Sequence, residues 1–251
     1  MGARRGSQVV RQESAKLPFA GSIPARASVL SVRSYGQGAD FSSAMPSQRT
    51  RYDKAYFDKW YRDPRFRVKS RTDMARQLRF IVAAAEYLLE RPVRRVLDVG
   101  AGEGHWRGVL AQIRPGAAYY GVDSSEYAVR RFGRRRNIRL GSLASIGELG
   151  LPGRFDLVLC LGVLNYVEPA ELRAGLRALR GLLDGVAYLE IFAKEDDASG
   201  DFDRRSARPG WWYRREICAA GYVPLGMHLY VPRELASVAA ELERALPRAR
   251  S

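Results

Sequence analysis

Residues 96–104 read VLDVGAGEG, a short apolar run that leads into a glycine-rich turn. Val96 and Leu97 are both apolar, as expected of a strand that is buried on both faces of a sheet. The glycines that follow let the backbone approach a ligand closely, and a helical segment, His105–Ile113, comes next. Strand, glycine turn and helix in this order predict a ligand site at the carboxyl end of a parallel strand.

An acidic residue ends the next predicted strand. The sequence YYGVD, residues 119–123, ends in Asp123, which lies 23 residues after Gly100. A carboxylate at this place in an open α/β sheet can accept hydrogen bonds from both hydroxyls of a ribose. The glycine turn and the acid together predict a nucleoside ligand.

The chain around these two motifs alternates between β-rich runs and helical periods. The pattern predicts strands at Arg95–Val99, Ala118–Val122, Asn137–Leu140, Phe155–Leu161, Val186–Phe192 and Tyr222–Val231. It predicts helices at Thr72–Leu89, His105–Ile113, Glu126–Arg134, Pro169–Leu183, Trp211–Ala220 and Glu234–Leu246. This alternation predicts an α/β fold with a doubly wound, mostly parallel sheet, although no seventh strand can be recognised.

The spacing of the glycines separates two classes of nucleoside-binding protein. Dinucleotide-binding proteins use G-x-G-x-x-G, whereas here the pattern is G-x-G-x-G and Asp98 precedes it. The segment resembles motif I of the class I, Rossmann-like methyltransferases that depend on S-adenosylmethionine (SAM), and the resemblance extends over roughly residues 93–231. It implies a Rossmann-like methyltransferase fold, methyl transfer activity and SAM as the cofactor.

The resemblance also implies a set of cofactor-binding residues. In that family the first acid and the glycine loop surround the methionine moiety of SAM, and the second acid holds the ribose. Carried over to this sequence, the residues are Asp98, Gly100, Ala101, Gly102, Gly104, Asp123, Ser124, Ser142, Leu143, Leu161 and Gly162. Two positions depart from the family pattern, since Ser142 replaces an Asp that accepts from adenine and Asn165 replaces a frequent His.

The distribution of charge bears on the acceptor of the methyl group. Residues 1–95 hold 20 Lys and Arg against 8 Asp and Glu, whereas residues 96–251 hold 22 against 19. The nearly neutral core favours a small-molecule acceptor. An RNA methyltransferase is the second hypothesis, supported by the basic N-terminal region and the run Arg130–Arg139. A SAM-binding protein without catalytic activity is the third hypothesis.

The sequence does not identify a catalytic residue. Methyl transfer from a sulfonium depends largely on positioning the acceptor, and Glu190 at the end of the fifth strand is the first candidate on the acceptor side. His105 is interpreted as a structural or cofactor-side residue, and His228 as a histidine within a strand. Cys160 and Cys218 are interpreted as buried thiols. The N-P-P-Y motif of base-amino methyltransferases is absent at residues 160–163.

The N-terminal third of the chain divides into two parts. Residues 1–50 have a composition that predicts a disordered extension, with a transit peptide or a true start at Met45 as alternatives. Aromatic residues between Tyr52 and Tyr61 recur at helical spacing, and they predict a short helix. Residues 51–92 are therefore expected to form a helical cap or lid over the cofactor, with packing on Met74–Leu89 as the alternative, and residues 93–251 the SAM-binding domain. The polar stretch Lys194–Arg208 predicts a flap on the acceptor side.

Composition limits the cellular environment. No apolar run approaches the ~20 residues that a membrane-spanning helix needs. The two cysteines are too few for a disulfide framework, which suits a reducing compartment. We therefore expect a cytoplasmic protein without membrane or metal partners.

Overall fold

The computed structural model describes residues 52–67, 69–196, 206 and 208–238. By its internal contacts the chain divides into Met1–Ala44 and Met45–Ser251, and every described residue belongs to the second unit. The predicted extension 1–50 lies outside the described residues. So do most of the predicted flap Lys194–Arg208 and the end of the predicted helix Glu234–Leu246.

Seven strands form one sheet. They are β1 (Arg95–Val99), β2 (Ala118–Asp123), β3 (Ile138–Leu140), β4 (Phe155–Leu161), β5 (Leu183–Glu190), β6 (Tyr222–Gly226) and β7 (Leu229–Pro232). Their order in the sheet is β3-β2-β1-β4-β5-β7-β6. Neighbouring strands from β3 to β5 are parallel, whereas β7 is antiparallel to both β5 and β6. The prediction of a doubly wound, mostly parallel α/β sheet is confirmed.

Six α-helices surround the sheet in the described part of the chain. They are α1 (Lys54–Phe57), α2 (Arg71–Leu89), α3 (His105–Ile113), α4 (Glu126–Arg136), α5 (Pro169–Gly181) and α6 (Gly210–Ala219). Helix α1 continues into a π-helical turn, Asp58–Arg62, in which the Asp63 N–H donates to the Asp58 carbonyl at 2.9 Å. Among the described residues no helix is both long and apolar enough to cross a membrane.

The core lies on both faces of the sheet, which explains the uninterrupted apolar strands. Successive residues of a strand point to opposite faces. Val96 accordingly packs with the residues of α2 and α3, and its neighbour Leu97 packs with those of α5 and α6. Leu157 and Val158 of β4 divide between the same two clusters. The apolar positions of the central strands are therefore covered by a helix layer on either face of the sheet.

The predicted strand Tyr222–Val231 is wrong, because the structure forms a β-hairpin there. Strands β6 and β7 are joined by Met227 and His228, whose φ angles are 47° and 64°. Asn-Gly or Asp-Gly usually signals such a turn, since those residues adopt positive φ easily. Neither stands here, so the sequence hides the turn. The interpretation of His228 as a strand residue is therefore wrong, and β7 supplies the seventh strand.

Smaller differences concern element ends and one thiol. Strand β5 begins at Leu183 and ends at Glu190, where Val186–Phe192 was predicted, and α5 ends at Gly181 instead of Leu183. The described start of the predicted C-terminal helix is a 3₁₀ segment, Arg233–Val238. Cys160 is buried as predicted, whereas Cys218 is only partly buried.

Candidate functional site

The glycine loop after β1 adopts a backbone that requires glycine. The φ angles of Gly100, Gly102 and Gly104 are 77°, 54° and 73°, all in the left-handed region. A Cβ on Gly100 would lie only 2.2 Å from a methyl carbon of Val163. The N–H groups of Gly100 and the next residue both donate to the carbonyl of Val122, at 2.8 and 3.0 Å. The loop is thereby held as a tight turn against the end of β2.

Asp123 lies directly beside this loop. One carboxylate oxygen accepts the Gly102 N–H at 2.6 Å, and the other accepts the Ser125 N–H at 2.7 Å. Burial raises the pKa of Asp123, although these two N–H donors act in the opposite direction. Since a carboxylate has about four acceptor positions, two donors leave room for further hydrogen bonds. The side chain is fixed by backbone groups and still has acceptor capacity.

Ser125, which sequence reasoning missed, takes a more central position than the predicted Ser124. Ser124 is exposed, whereas Ser125 is buried. The Ser125 hydroxyl accepts the Ala128 N–H at 3.0 Å as the N-cap of α4 and donates to the carbonyl of Tyr52. A serine directly before a helix beginning with Glu126 is a readable N-cap signal. The contact with Tyr52 joins the N-terminal segment to the end of β2.

Asp98 is buried at the end of β1 beneath the loop. It accepts a hydrogen bond of 2.6 Å from the hydroxyl of Tyr119. Burial raises the pKa of Asp98 to about 7, even though the Tyr119 hydrogen bond favours the charged form. The carboxyl therefore changes its charge near neutral pH, and a nearby cation would favour ionisation. Tyr119 is a further residue that sequence reasoning missed.

The other predicted cofactor residues lie on the loops after β3 and β4. Ser142 is exposed, and its N–H donates to the hydroxyl of Ser145 at 3.0 Å. The side chain of Leu143 is buried in the core cluster with α5 and α6, so its role is packing. Leu161 is half-buried, and the N–H of Gly162 donates to the Glu190 carbonyl at 3.0 Å. Asp98, the glycine loop and Asp123 are brought together, whereas the side chain of Leu143 is directed elsewhere.

Asn165 connects the loop after β4 with the residues that follow β5. Its side-chain amide donates to the Phe192 carbonyl at 2.5 Å, and its side-chain oxygen accepts the Phe192 N–H at 3.2 Å. Asn165 is buried and lies within 3.3 Å of the Tyr213 hydroxyl. An amide can satisfy both backbone groups at once, which explains an Asn at this position. Its observed role is to fix the backbone.

A salt bridge joins the N-terminal segment to the glycine loop. One guanidinium nitrogen of Arg62 lies 2.6 Å from each carboxylate oxygen of Glu103, whose side chain is only 1% exposed. Burial would raise the pKa of Glu103, but His105 and Arg62 lower it on balance. Phe57 would be 3.1 Å from a Cβ placed on Gly102. Residues of the predicted lid therefore lie directly on the loop, a contact that the sequence does not reveal.

Tyr61 of the predicted lid lies next to the glycine loop, where its hydroxyl would be 3.6 Å from a Cβ placed on Gly102. Its ring stacks on His105 with a centroid distance of 5.6 Å. Desolvation, together with the nearby carboxylates of Asp123 and Asp98, raises the pKa of Tyr61. Its hydroxyl therefore stays protonated and can donate a hydrogen bond at neutral pH.

A second polar cluster surrounds Glu190 at the end of β5. The Lys69 ammonium lies 2.8 and 2.9 Å from the two carboxylate oxygens, and the Gln77 amide donates at 2.7 Å. The Gln77 amide also reaches the Tyr188 hydroxyl at 3.0 Å. The ring of His228 contacts that of Tyr188 edge to face, at 5.7 Å between centroids. The turn between β6 and β7 thus lies beside the carboxyl-terminal part of β5.

The family of the chain follows from its sequence match. A family described as methyltransferase domain matches residues 38–242. This match covers most of the chain, which therefore belongs to the family. The resemblance to the class I SAM-dependent methyltransferases is confirmed.

A curated relative matches only part of the chain. An uncharacterized protein of Synechococcus sp. is 33% identical over 111 residues, which cover 41% of this chain and 26% of that protein. The chain thus spans about a quarter of the length of this curated relative.

Two solved structures share the fold. The sugar N-methyltransferase of Streptoalloteichus sp. has 18% identity and a TM-score of 0.54, covering 81% of this chain and 96% of that chain. The plantazolicin methyltransferase, in complex with a triazolic desmethylPZN analogue and S-adenosylhomocysteine (SAH), has 14% identity and a TM-score of 0.52. The match covers 61% of this chain and 66% of the plantazolicin methyltransferase chain. At these identities the likeness shows the fold alone.

Proposed function

We propose that this protein is a SAM-dependent methyltransferase that acts on a small-molecule acceptor. The observation that carries the proposal is the Asp123 carboxylate, held by the N–H groups of Gly102 and Ser125 beside a glycine loop. Membership of the methyltransferase family supports methyl transfer. A sugar and plantazolicin are named for two proteins of the same fold, which favours a small acceptor here.

The residues present fit the cofactor. Asp123 has acceptor positions left for two ribose hydroxyls. Gly100 and Gly102 keep the loop in a conformation in which a side chain would clash with Val163 or crowd Phe57. When bound, SAM supplies a methyl group on a positively charged sulfonium. Asp98 beneath the loop would face the methionine moiety, where its carboxylate form is favoured by positive charge. Ser142 is exposed and would contact the adenine through its hydroxyl or its backbone.

The chain contributes positioning and exclusion of water. Phe57 and Tyr61 cover the glycine loop from the N-terminal side, and the Arg62–Glu103 salt bridge holds them there. Closed over a bound cofactor, this segment would exclude water from the reacting atoms. The acceptor would approach from the end of β5, where Glu190 is the candidate to orient it by hydrogen bonds.

The test is a titration of the protein with SAM by isothermal calorimetry. Wild type should bind SAM with micromolar affinity, and Asp123→Ala should weaken binding about 10- to 100-fold, because hydrogen bonds to a charged group are lost. Asp123→Asn keeps the shape of the side chain and separates the effect of charge from that of folding. The matched control is Asp184→Ala, which removes a half-exposed acid paired with Arg154.

Turnover completes the test. Formation of SAH with small-molecule acceptors such as sugars and phenols would support the proposal. Absence of SAM binding at millimolar concentration would contradict it. SAM binding without turnover, or turnover with RNA alone, would favour one of the two other hypotheses.

A further inference from the structure

A cavity is lined by residues of the N-terminal segment, α2 and α3. Its volume is about 330 Å³. Five cationic side chains contribute to its lining, and no Asp or Glu of the described residues does: they are Arg67, Lys69, Arg71, Arg107 and Arg136. They come from three separate parts of the chain, so the fold itself concentrates the positive charge.

Only some of these cations have a partner within the described part of the protein. Lys69 is paired with Glu190, and Arg136 donates to the Glu103 backbone carbonyl. Within the described ranges, Arg67, Arg71 and Arg107 have no carboxylate at ion-pair distance. Like charges that share a cavity repel each other, and an anion placed between them removes that repulsion.

The cavity adjoins both functional regions of the site. Tyr61 lines it, and its hydroxyl would lie 3.6 Å from a Cβ placed on Gly102 of the glycine loop. Lys69 lines it and binds Glu190 at the end of β5. Gly104 and His105, at the start of α3, border it as well, and the first N–H groups of a helix favour an anion.

We propose that this cavity binds an anionic group, a phosphate or a carboxylate, that the small-molecule acceptor carries. The inference rests on the proposed function and adds the chemical class of the substrate. Arginine side chains suit this role because their guanidinium groups bind phosphate and carboxylate through two parallel hydrogen bonds. The cavity volume lies at the lower end of the range for small-molecule sites. It is large enough for one anionic group and the part of the acceptor that carries it.

The experiment uses inorganic phosphate as the probe, titrated at constant ionic strength with the full-length protein. Phosphate should bind saturably, and Arg67→Gln/Arg107→Gln should weaken it about 10-fold or more. The control variant, Arg79→Gln/Arg135→Gln, removes the same charge from exposed sites outside the cavity, and should bind phosphate within about 2-fold of wild type. Both variants should bind SAM like wild type, which also shows that they are folded.

Several outcomes would overturn the inference. An equal loss of phosphate affinity in the cavity variant and the control variant would show only general charge attraction. Displacement of SAM by phosphate would show that the cavity is part of the cofactor pocket. A short oligoribonucleotide that bound more tightly than phosphate, and that bound more weakly to Arg67→Gln/Arg107→Gln, would indicate that the cavity binds RNA. Absent phosphate binding with intact SAM binding contradicts this inference alone, whereas phosphate binding without SAM binding contradicts the proposed function.

Discussion

Asp123 at the carboxyl end of β2 and Glu190 at the carboxyl end of β5 are held in different ways. Asp123 is fixed by backbone N–H groups from Gly102 and Ser125, which are 21 and 2 positions away in the chain. Glu190 is fixed by the long side chains of Lys69 and Gln77, which are 121 and 113 positions away. Backbone donors cannot rotate away, whereas Lys and Gln side chains have several rotatable bonds. Under the proposed function, the first end would suit one constant ligand, and the second could rearrange around an acceptor.

The largest effect is expected from Gly100→Ala, which places a methyl group in the glycine loop after β1. Its carbon would lie 2.2 Å from Val163 at a φ of 77°. Overpacking and an unfavourable backbone together should lower the free energy of unfolding by about 3 kcal/mol. The distorted loop should weaken SAM binding about 100-fold. Urea denaturation and calorimetry measure the two quantities.

Gly108→Ala in α3 is the matched control for this substitution. A Cβ there would meet nothing within 4 Å, and the residue is helical. Alanine should therefore stabilise the protein by about 0.5–1 kcal/mol. Gly100→Ala/Val163→Ala should recover part of the loss by removing the clashing methyl group. Normal SAM affinity in Gly100→Ala would show that the loop does not touch the cofactor.

A pH dependence should follow from Asp98. Its pKa of about 7 in the folded protein exceeds the ordinary value of 3.8. The folded state therefore keeps a proton that the unfolded state loses, and the stability of the free protein should fall as pH rises from about 4 to 7. Because SAM is cationic, its binding should release this proton. Affinity should rise up to about tenfold per pH unit below pH 7 and then level off.

Calorimetry in buffers of different ionisation enthalpy counts the released protons. Burial also raises the pKa of Asp123, in the same direction, so a variant has to isolate the contribution of Asp98. Asp98→Asn should abolish most of the proton release near pH 6. An unchanged proton count in this variant would place the titrating group elsewhere.

A smaller effect is expected from opening the Arg62–Glu103 salt bridge. Arg62→Ala leaves the Glu103 carboxylate, which is 1% exposed, without its guanidinium partner, and frees the segment that carries Phe57 and Tyr61. SAM should dissociate about 3- to 10-fold faster, measured by stopped-flow fluorescence. Arg65→Ala is the control, because Arg65 pairs with Asp63 on the exposed side of the same segment. Equal rates in the two variants would argue against a lid.

The same contrast explains what could be predicted from the sequence. The apolar strands, the glycine loop and Asp123 are local patterns, and the family and fold were confirmed. The pair Lys69–Glu190 depends on residues far apart in the chain, which no local period reveals. The hairpin at Met227 was missed because its turn lacks the usual residues. The assignment of individual residues to the cofactor, including Ser142, stays a prediction.

Hydrogen exchange with and without SAM tests the central claim most directly, because both ends of the sheet are observed in one measurement. The account predicts slower exchange on SAM binding in residues 99–104 and 122–125, and in the lid residues 55–62. Residues 183–190 and the hairpin 222–232 should change little until an acceptor is added. Protection confined to residues 183–190 and 222–232, with none in the glycine loop, would contradict the account.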